Sequence, residues 1–192
     1  MDPAQLRAVI ASAQAGSADA YRVLLEAYGR RLYGYFFRAC GNHHEAEDLL
    51  GEMTLRLVRQ LRRYDDRGRF EPWLFRIAAN MVRDRIRRYR AKAPPVSLSS
   101  ESDSSAPLSD RLVSDDPAVD SATLASEDST ELNAALNKLD GRTREMMLLR
   151  HFGQMSFKDI ADIYNCPLGT VLARVHRGLA ALRSMMGDRH GT

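Results

Sequence analysis

The stretch that decides the fold is SFKDIADIYNCPLGTVLARVHRGLAALR, residues 156–183. Ser156 is a typical helix N-cap, and Asp159 three residues later resembles the second half of a capping box. Phe157, Ile160 and the residues that follow repeat at helical spacing until Asn165. Pro167 then opens a new helix, because proline fits the first turn and not the interior. Two short helices across a tight turn predict a helix-turn-helix.

The second of these helices has two faces. An apolar stripe should pack on the preceding helices, and it consists of Val171, Val175, Leu179, Leu182 and Met186. The opposite side combines small residues, which allow close approach, with side chains that can meet a phosphate or a guanine edge. The candidate DNA contacts are Pro167, Gly169, Thr170, Leu172, Ala173, Arg174, His176 and Arg177. A solvated basic face on a small bundle is the alternative interpretation.

The rest of the chain is also helical in pattern. Apolar residues recur at helical spacing from Tyr21 to Phe36, from Ala46 to Leu61, and from about Pro72 to about Tyr89. Leu132 to Leu139 and Arg142 to His151 predict two more helices. Since no segment alternates in the manner of a strand, we predict an all-α fold.

Charge divides the chain into three parts. Residues 1–92 hold 18 basic and 11 acidic side chains. Residues 93–128 hold one basic and eight acidic side chains, and residues 129–192 hold nine basic and six acidic ones. The middle part is rich in Ser, Asp and Pro, which favours a flexible acidic linker. We therefore predict two small helical domains, 1–92 and 129–192, whose basic character suggests a polyanionic partner.

Several classes of protein are disfavoured. No run approaches the apolar length of a membrane span, and no signal peptide is evident, so we expect a cytoplasmic protein without membrane insertion. Cys40 and Cys166 have no metal or redox spacing, and neighbours in the His43-His44-Glu45 cluster point apart on a helix. There is no catalytic motif. We expect neither a cofactor, nor a metal, nor an enzyme.

A second basic stripe lies in the N-terminal part. Arg76, Asn80, Arg83, Arg87 and Arg90 are spaced four, three, four and three apart, so they share one face of a helix. The stripe extends roughly 21 Å, the length of several phosphates along a duplex. It has no interleaved acid, which favours a polyanion over the alternative of a solvated charged face.

These motifs resemble bacterial RNA polymerase sigma factors of the sigma-70 family, and most closely the extracytoplasmic-function (ECF) group. Residues 156–183 resemble the domain that reads the minus-thirty-five promoter element. HEAEDLLGEMTLRLVRQL, residues 44–61, resembles the helix that grips the polymerase clamp. RYDDRGRFEPWLFRIAANMVRDRIRR, residues 63–88, resembles the segment that reads and opens the minus-ten element. The resemblance covers about residues 18–92 and 130–186.

The resemblance implies partners and site residues. The partners would be core RNA polymerase, through its clamp and flap, promoter DNA and, as an option the group allows, an anti-sigma factor. Polymerase contacts would be Glu45, Asp48, Leu49 and Glu52, and the loop before the basic stripe would add Tyr64, Arg67, Arg69, Phe70 and Trp73 to the minus-ten contacts. Which loop residue holds an unstacked base stays open, as does whether Trp73 is a wedge or a core residue. Leu172, Ala173 and Gly51 depart from residues common in the group.

Two other functions remain in view. A free-standing helix-turn-helix regulator would use the N-terminal part for dimerisation or sensing, and it would bind promoter DNA without polymerase. A nucleic-acid enzyme with a DNA-binding tail would turn over its substrate, for which the sequence offers no ligand set. The sigma factor is the function that the two basic ends and the acidic connector favour.

Overall fold

The computed structural model describes residues 1–92 and 131–187, and every regular element in these ranges is a helix. The first range contains α1 (Pro3–Gln14), α2 (Ala18–Cys40), α3 (His43–Leu61) and α4 (Phe70–Lys92). The second contains helical residues 131–137 (α5), then α6 (Gly141–His151), α7 (Phe157–Tyr164) and α8 (Leu168–Gly187). The predicted all-α class is confirmed. The predicted linker, 93–128, lies outside the described residues.

Local chemistry explains where the helices begin and end. In the capping box predicted at α7, Ser156 Oγ accepts a hydrogen bond from the Asp159 N–H at 3.1 Å, and Asp159 accepts one from the Ser156 N–H at 3.2 Å. Asn165 ends this helix in the left-handed conformation, with φ 47°. Helix α4 begins at Phe70, two residues before the predicted start, which leaves Pro72 in the first turn where its missing N–H costs nothing.

The N-terminal helices form a bundle around α2. Helix α2 packs against α1, α3 and α4, and Tyr35 and Phe36 of α2 are fully buried beside Phe75 of α4. The rings of Tyr35 and Phe75 meet edge to face at 5.9 Å between centroids, an arrangement that adds stability beyond the area buried. This packing fixes α4 so that its opposite side faces outward.

The C-terminal helices show one departure from the predicted apolar stripe. Val171, Val175 and Leu182 are buried as predicted, but Leu179 is 45% exposed. Helix α8 packs closely on α6 at Gly178, where an added Cβ would lie 2.7 Å from Thr143 Cγ2. Because the buried face runs through Gly178, its neighbour Leu179 is turned toward solvent.

The two halves of the described chain are docked on each other. Helix α6 packs against both α2 and α4, and the buried apolar residues of the two halves form one continuous cluster. The ring of Phe152 lies against Gly34, where an added Cβ would be 2.6 Å from Cε1. Arg31 Nε donates a hydrogen bond to the Phe152 carbonyl at 2.9 Å. The sequence predicts two tethered domains and does not predict this contact between them.

Candidate nucleic-acid and partner surfaces

The outer face of α8 presents most of the residues predicted to contact DNA. Seven of them are exposed, namely Pro167, Gly169, Thr170, Leu172, Ala173, His176 and Arg177. Their side chains are short at the start of the helix, so a nucleic-acid backbone can approach the free N–H groups there. Arg177 makes no ion pair or hydrogen bond with any other described residue, and its guanidinium is therefore available to a ligand.

Arg174 differs from its neighbours on α8. Its Nη1 donates to Asp140 Oδ1 at 3.0 Å and contacts Thr143 Oγ1 at 3.4 Å, and the side chain is 26% exposed. Asp140 is the N-cap of α6 and accepts the Thr143 N–H at 3.0 Å. Burial opposes its ionisation, but the bonds from Thr143 and the charge of Arg174 keep the pKa of Asp140 below its usual value. Arg174 therefore stabilises the packing of α8 on α6. A contact between Arg174 and DNA would have to form beside this bond or replace it.

The predicted stripe on α4 is only partly free. Arg76, Asn80 and Arg87 are exposed, whereas Arg83 is 28% exposed. The expected absence of acid from the stripe is wrong, because Asp84 Oδ1 lies 3.5 Å from Arg87 Nη1. Arg83 Nε lies 3.0 Å from Glu145 Oε1 of α6, and its guanidinium covers the ring of Tyr164 at 4.6 Å from the centroid. The side chain of Arg90 lies outside the described residues. In this conformation the centre of the stripe is therefore covered by the C-terminal half.

The loop before α4 leads into an aromatic stack. The rings of Tyr64 and Trp73 are 4.5 Å apart, and Trp73 is partly buried, so it is at once a packed residue and an accessible one. The Tyr64 hydroxyl donates to Asp66 at 3.2 Å, and burial together with this carboxylate raises the pKa of Tyr64 to about 12. Phe70 is only 2% exposed, so the prediction that it could meet a base does not hold in this conformation.

Two loop arginines already have partners. Arg67 is exposed and pairs with Asp65 at 2.7 Å within the loop. Arg69 pairs with Asp159 of α7, in the other half of the chain. Beside the stack, Arg59, Arg62 and Arg63 line a shallow depression of about 880 Å³. These three were not among the predicted contacts, although the run RQLRR at the end of α3 indicates a basic surface.

The outer face of α3 carries a mixed acidic and apolar surface. Asp48 is exposed and forms no ion pair with the described residues, while Glu52 accepts from Arg56 Nη2 at 2.7 Å. Leu55 and Val58, one and two turns further along this face, are exposed. Leu55 and Val58 were not among the predicted contacts, although their helical positions lie outside the buried stripe of α3.

Two predicted polymerase contacts do not face outward. Leu49 is fully buried in the core, so it supports α3 and cannot touch a partner in this conformation. Glu45 is 14% exposed, because it accepts hydrogen bonds from Arg85 Nη1 at 2.5 Å and from the Tyr89 hydroxyl. These contacts tie α3 to α4, and they withdraw the Glu45 charge from the surface.

The remaining candidate chemistry was a metal site near His43. Its ring stacks on Phe37 with centroids 4.3 Å apart, and its Nδ1 lies 2.6 Å from the Tyr33 hydroxyl. No group of three or more metal-binding side chains occurs within residues 1–92 and 131–187. Of the helices in the same two ranges, none is both long and apolar enough to cross a membrane.

Both halves of the chain match families of known proteins. Residues 24–92 match the family Sigma-70 region 2, and residues 129–182 match Sigma-70, region 4. The chain is 33% identical over 175 residues to the ECF RNA polymerase sigma factor SigW of Bacillus subtilis, covering 90% of this chain and 92% of that protein. It is 31% identical to the RNA polymerase sigma factor CarQ of Myxococcus xanthus, covering 90% and 92%.

A solved structure has a similar fold. CnrH, determined in complex with the cytosolic domain of CnrY, superimposes with a TM-score of 0.67 at 20% identity, covering 95% of this chain and 97% of that one. Region 2 corresponds to the N-terminal half with its basic α4, and region 4 to the C-terminal half with its helix-turn-helix. The chain therefore belongs to the ECF group of the sigma-70 family of RNA polymerase sigma factors.

Proposed function

We propose that this sigma factor binds core RNA polymerase through the outer face of α3 and brings it to promoters read by α4 and α8. The observation that carries the assignment is the separation of surfaces. Asp48, Leu55 and Val58 form an acidic and apolar surface on α3. The exposed Arg59 marks its C-terminal end, whereas the exposed charges of the α4 stripe and of α8 are arginines. A protein that only bound DNA would have no use for an acidic, apolar face, because DNA repels carboxylates.

The α3 face suits the polymerase clamp. Exposed leucine and valine side chains on one helix face gain free energy when a partner covers them, and a nearby unpaired carboxylate selects a basic partner. Asp48 is the strongest charge candidate, since Glu52 is already engaged by Arg56 and by Arg85 at 3.8 Å. We therefore place the polymerase contact on Asp48, Glu52, Leu55 and Val58, and we leave Leu49 in the core.

The polymerase flap is assigned to the C-terminal half. An apolar groove of about 740 Å³ is lined there by Leu132, Leu136, Leu148 and Leu179. Arg150 and, from α2 of the N-terminal half, Arg38 also line it. Leu179, whose side chain lies outside the core, lines this groove. Its apolar lining suits one face of an amphipathic helix.

Promoter DNA is assigned to the two basic surfaces. The exposed arginines of α4 would contact phosphates upstream, and the stack of Tyr64 and Trp73 would hold an unstacked base of the minus-ten element. Arg177 and the start of α8 would enter the major groove at the minus-thirty-five element. Each surface contributes a different kind of contact, because phosphates position the protein and base edges give sequence specificity.

The partners also include an anti-sigma factor. Two of the structural neighbours are CnrH with the cytosolic domain of CnrY, and the sigma factor RpoE from Bartonella quintana with the anti-sigma factor NepR, at 22% identity and a TM-score of 0.65. An inhibitor that covers α3 would block the binding of polymerase, and one that covers α4 would block the binding of DNA. A protein that acts on these partners works in the cytoplasm, and by this proposal it is a transcription factor without catalytic activity.

The test is capture of core polymerase by a surface variant. Asp48→Arg combined with Leu55→Asp should abolish capture and directed transcription, since both side chains are exposed and neither is part of the core. Glu26→Arg is the matched control, because it reverses an exposed acid on α2 whose one ion pair within the described residues is with Arg22 at 3.6 Å. Full capture by a folded double variant would refute the α3 surface. Sequence-specific promoter binding without polymerase would favour the free-standing regulator.

A further inference from the structure

The side chain of Gln14 connects α1 to the loop that precedes α4. Its Nε2 donates hydrogen bonds to the Leu61 carbonyl at 3.0 Å and to the Tyr64 carbonyl at 2.7 Å, across 47 and 50 positions of the chain. A side-chain amide carries two N–H donors, so one glutamine can serve both carbonyls. The two bonds fix the backbone at the end of α3 and again at the start of the loop.

The turn that Gln14 contacts begins where α3 ends. Leu61 is the last residue of α3 and is fully buried, and the final carbonyls of a helix have no partner within it. The Tyr64 N–H donates to the Leu61 carbonyl at 3.0 Å, which closes a turn directly after the helix. Gln14 adds a second donor to this carbonyl and a donor to the carbonyl of Tyr64. It thereby ties both ends of the turn to α1.

Helix α1 is anchored independently of Gln14. Ile10 and Ala13 are buried in the core, at 1% and 0% exposure, whereas Gln14 is only partly buried. Helix α1 packs against α2 and α3, and it precedes residues 24–92, the range that matches region 2. Loss of the Gln14 amide should therefore leave α1 in place and release the turn.

Tyr64 extends this restraint to the aromatic stack. Its ring lies 4.5 Å from that of Trp73 and 5.7 Å from that of Phe70, both on α4. Its carbonyl is held by Gln14, and its hydroxyl donates to Asp66 at 3.2 Å. The tyrosine is therefore fixed at its backbone and at the tip of its side chain, and its ring is positioned before any ligand arrives.

We propose that Gln14 is a positioning residue that holds Tyr64 in the geometry required to bind the unstacked base of the minus-ten element. The inference rests on the proposed function, since it takes the stack of Tyr64 and Trp73 as the site of that base. A base that meets an ordered stack binds without having to immobilise it, whereas a loosened tyrosine must be ordered as the base binds. Ordering one such side chain reduces affinity by roughly 2- to 12-fold.

The first experiment measures the stack in the free, full-length protein. Trp73 is the only tryptophan of the chain, so its fluorescence reports on this site alone. Gln14→Glu keeps the length of the side chain and replaces the two N–H donors with an oxygen that repels both carbonyls. We expect a larger acrylamide quenching constant for Trp73 in this variant, because displacement of the Tyr64 ring exposes the indole.

Two further variants serve as control and as replacement. Gln5→Glu makes the same change at an exposed position of α1, where Gln5 Oε1 accepts a hydrogen bond from the Asp2 N–H that a glutamate accepts equally well. Its quenching constant should equal that of the wild type. Gln14→Met removes the donors without adding a charge, and it should increase quenching in the same direction. Gln14→Met decides the question if circular dichroism shows that Gln14→Glu has lost helix content.

The second experiment tests whether the stack needs Gln14 to bind a base. Core polymerase is saturated with each variant, and its affinity is measured for fork-junction DNA probes whose minus-ten bases are already unpaired. We expect Gln14→Glu to weaken binding by roughly 2- to 12-fold, and Gln5→Glu to bind as the wild type does. Each base of the unpaired strand is then replaced in turn by an abasic site. At one position the difference between Gln14→Glu and the wild type should vanish, because no base is left there for Tyr64 to hold.

A general loss of stability predicts a different result, since it would weaken binding to every probe by the same factor. A defect of Gln14→Glu that persists at every abasic position would therefore overturn the inference. Wild-type quenching in both Gln14→Glu and Gln14→Met would overturn it too, because the stack would then not depend on the amide.

Trp73→Ala separates failure of the inference from failure of the proposed base site. If Trp73→Ala loses affinity in a manner that depends on one base and Gln14→Glu binds all probes as the wild type does, the base site stands and the role of Gln14 is refuted. If Trp73→Ala itself binds every probe as the wild type does, the stack does not hold the base, and the proposed base site is refuted together with the inference.

Discussion

Replacement of Arg177 by alanine should reduce promoter use much more than the same replacement of Arg174. The two arginines are one turn apart on α8, and the sequence places both beside the same DNA surface. The structure separates them, since Arg177 is exposed without a partner among the described residues and Arg174 is bonded to Asp140 and Thr143. Comparing the two variants therefore tests whether promoter DNA binds the unpaired guanidinium on this face.

The expected magnitudes follow from these environments. A bidentate arginine contact to a guanine contributes about 1–3 kcal/mol of discrimination, which corresponds to roughly 5- to 150-fold in promoter binding for Arg177→Ala. The Arg174 pair spans 3.0 Å and its members are 26% and 49% exposed. Pairs of this kind contribute about 0.2–1 kcal/mol, so Arg174→Ala should cost mainly stability and lower the melting temperature by no more than about 4 °C.

The assay combines transcription with unfolding. Core polymerase is saturated with each variant, and transcript yield is measured on the promoter and on substitutions across the minus-thirty-five element. Arg177→Ala should lose both yield and the ability to distinguish bases at one or two positions. Arg174→Ala should keep the base preferences of the wild type, with a lower melting temperature measured by circular dichroism.

Two results would refute this reasoning. If Arg177→Ala transcribes as the wild type does on every substituted promoter, the exposed face of α8 does not read the element. If Arg174→Ala has an unchanged melting temperature and loses more transcription than Arg177→Ala, then the wild-type bond from Arg174 to Asp140 is broken when DNA binds. Exposure of an arginine in the free protein would then not determine whether it contacts DNA.

Three further predictions concern α4, the packing of α8 and the cysteines. Changing Arg83 and Arg87 together to glutamine should weaken holoenzyme binding similarly on different promoters and reduce the salt dependence by roughly two phosphate equivalents, as measured by salt titration. Gly178→Ala should lower the melting temperature, because overpacking costs about 1–3 kcal/mol and the gain in helix propensity returns only about 0.5–1 kcal/mol. Cys166 should react with a maleimide in the native protein, whereas burial raises the pKa of Cys40 to about 12 and should protect it until the protein unfolds, as mass spectrometry would show.

Each of these has a control or a contrary outcome. A salt dependence unchanged by the double glutamine variant would remove the α4 stripe from the DNA interface. Gly169→Ala is the control for Gly178→Ala, since nothing lies within 4 Å of its added Cβ, and it should not lower the melting temperature. Equal labelling of both cysteines in the native state would contradict the burial of Cys40.

Local features of the fold were predictable because they depend on neighbours in the sequence. The capping box at Ser156, the break before Pro167 and the helical spacing of α3 involve residues at most a few turns apart, and all three are present in the structure. The same holds for the exposed face of α8, with Arg177 at its centre. The sigma-factor resemblance added the order of the motifs, which the family matches confirm.

The availability of each charged residue was decided by the tertiary structure. Arg85 bonds Glu45 across 40 positions, Arg174 bonds Asp140 across 34, and Arg83 meets Glu145 across 62. Helical periodicity shows which residues share a face, but it does not show which other face will cover them. Glu45 and Arg83 therefore looked as free in the sequence as Asp48 and Arg76, and only the docking of helices distant along the chain distinguishes them.

The same physical limit applies to the apolar residues. The sequence determined that α8 has an apolar side, but the contact of Gly178 with α6 decided that Leu179 lies outside the core and beside an open groove. In the same way, the sequence determined two basic helical halves, whereas the contact of Phe152 with Gly34 docked one on the other. Interhelical distance depends on the side chains of both partners at the point of contact, and this information is not present in either segment alone.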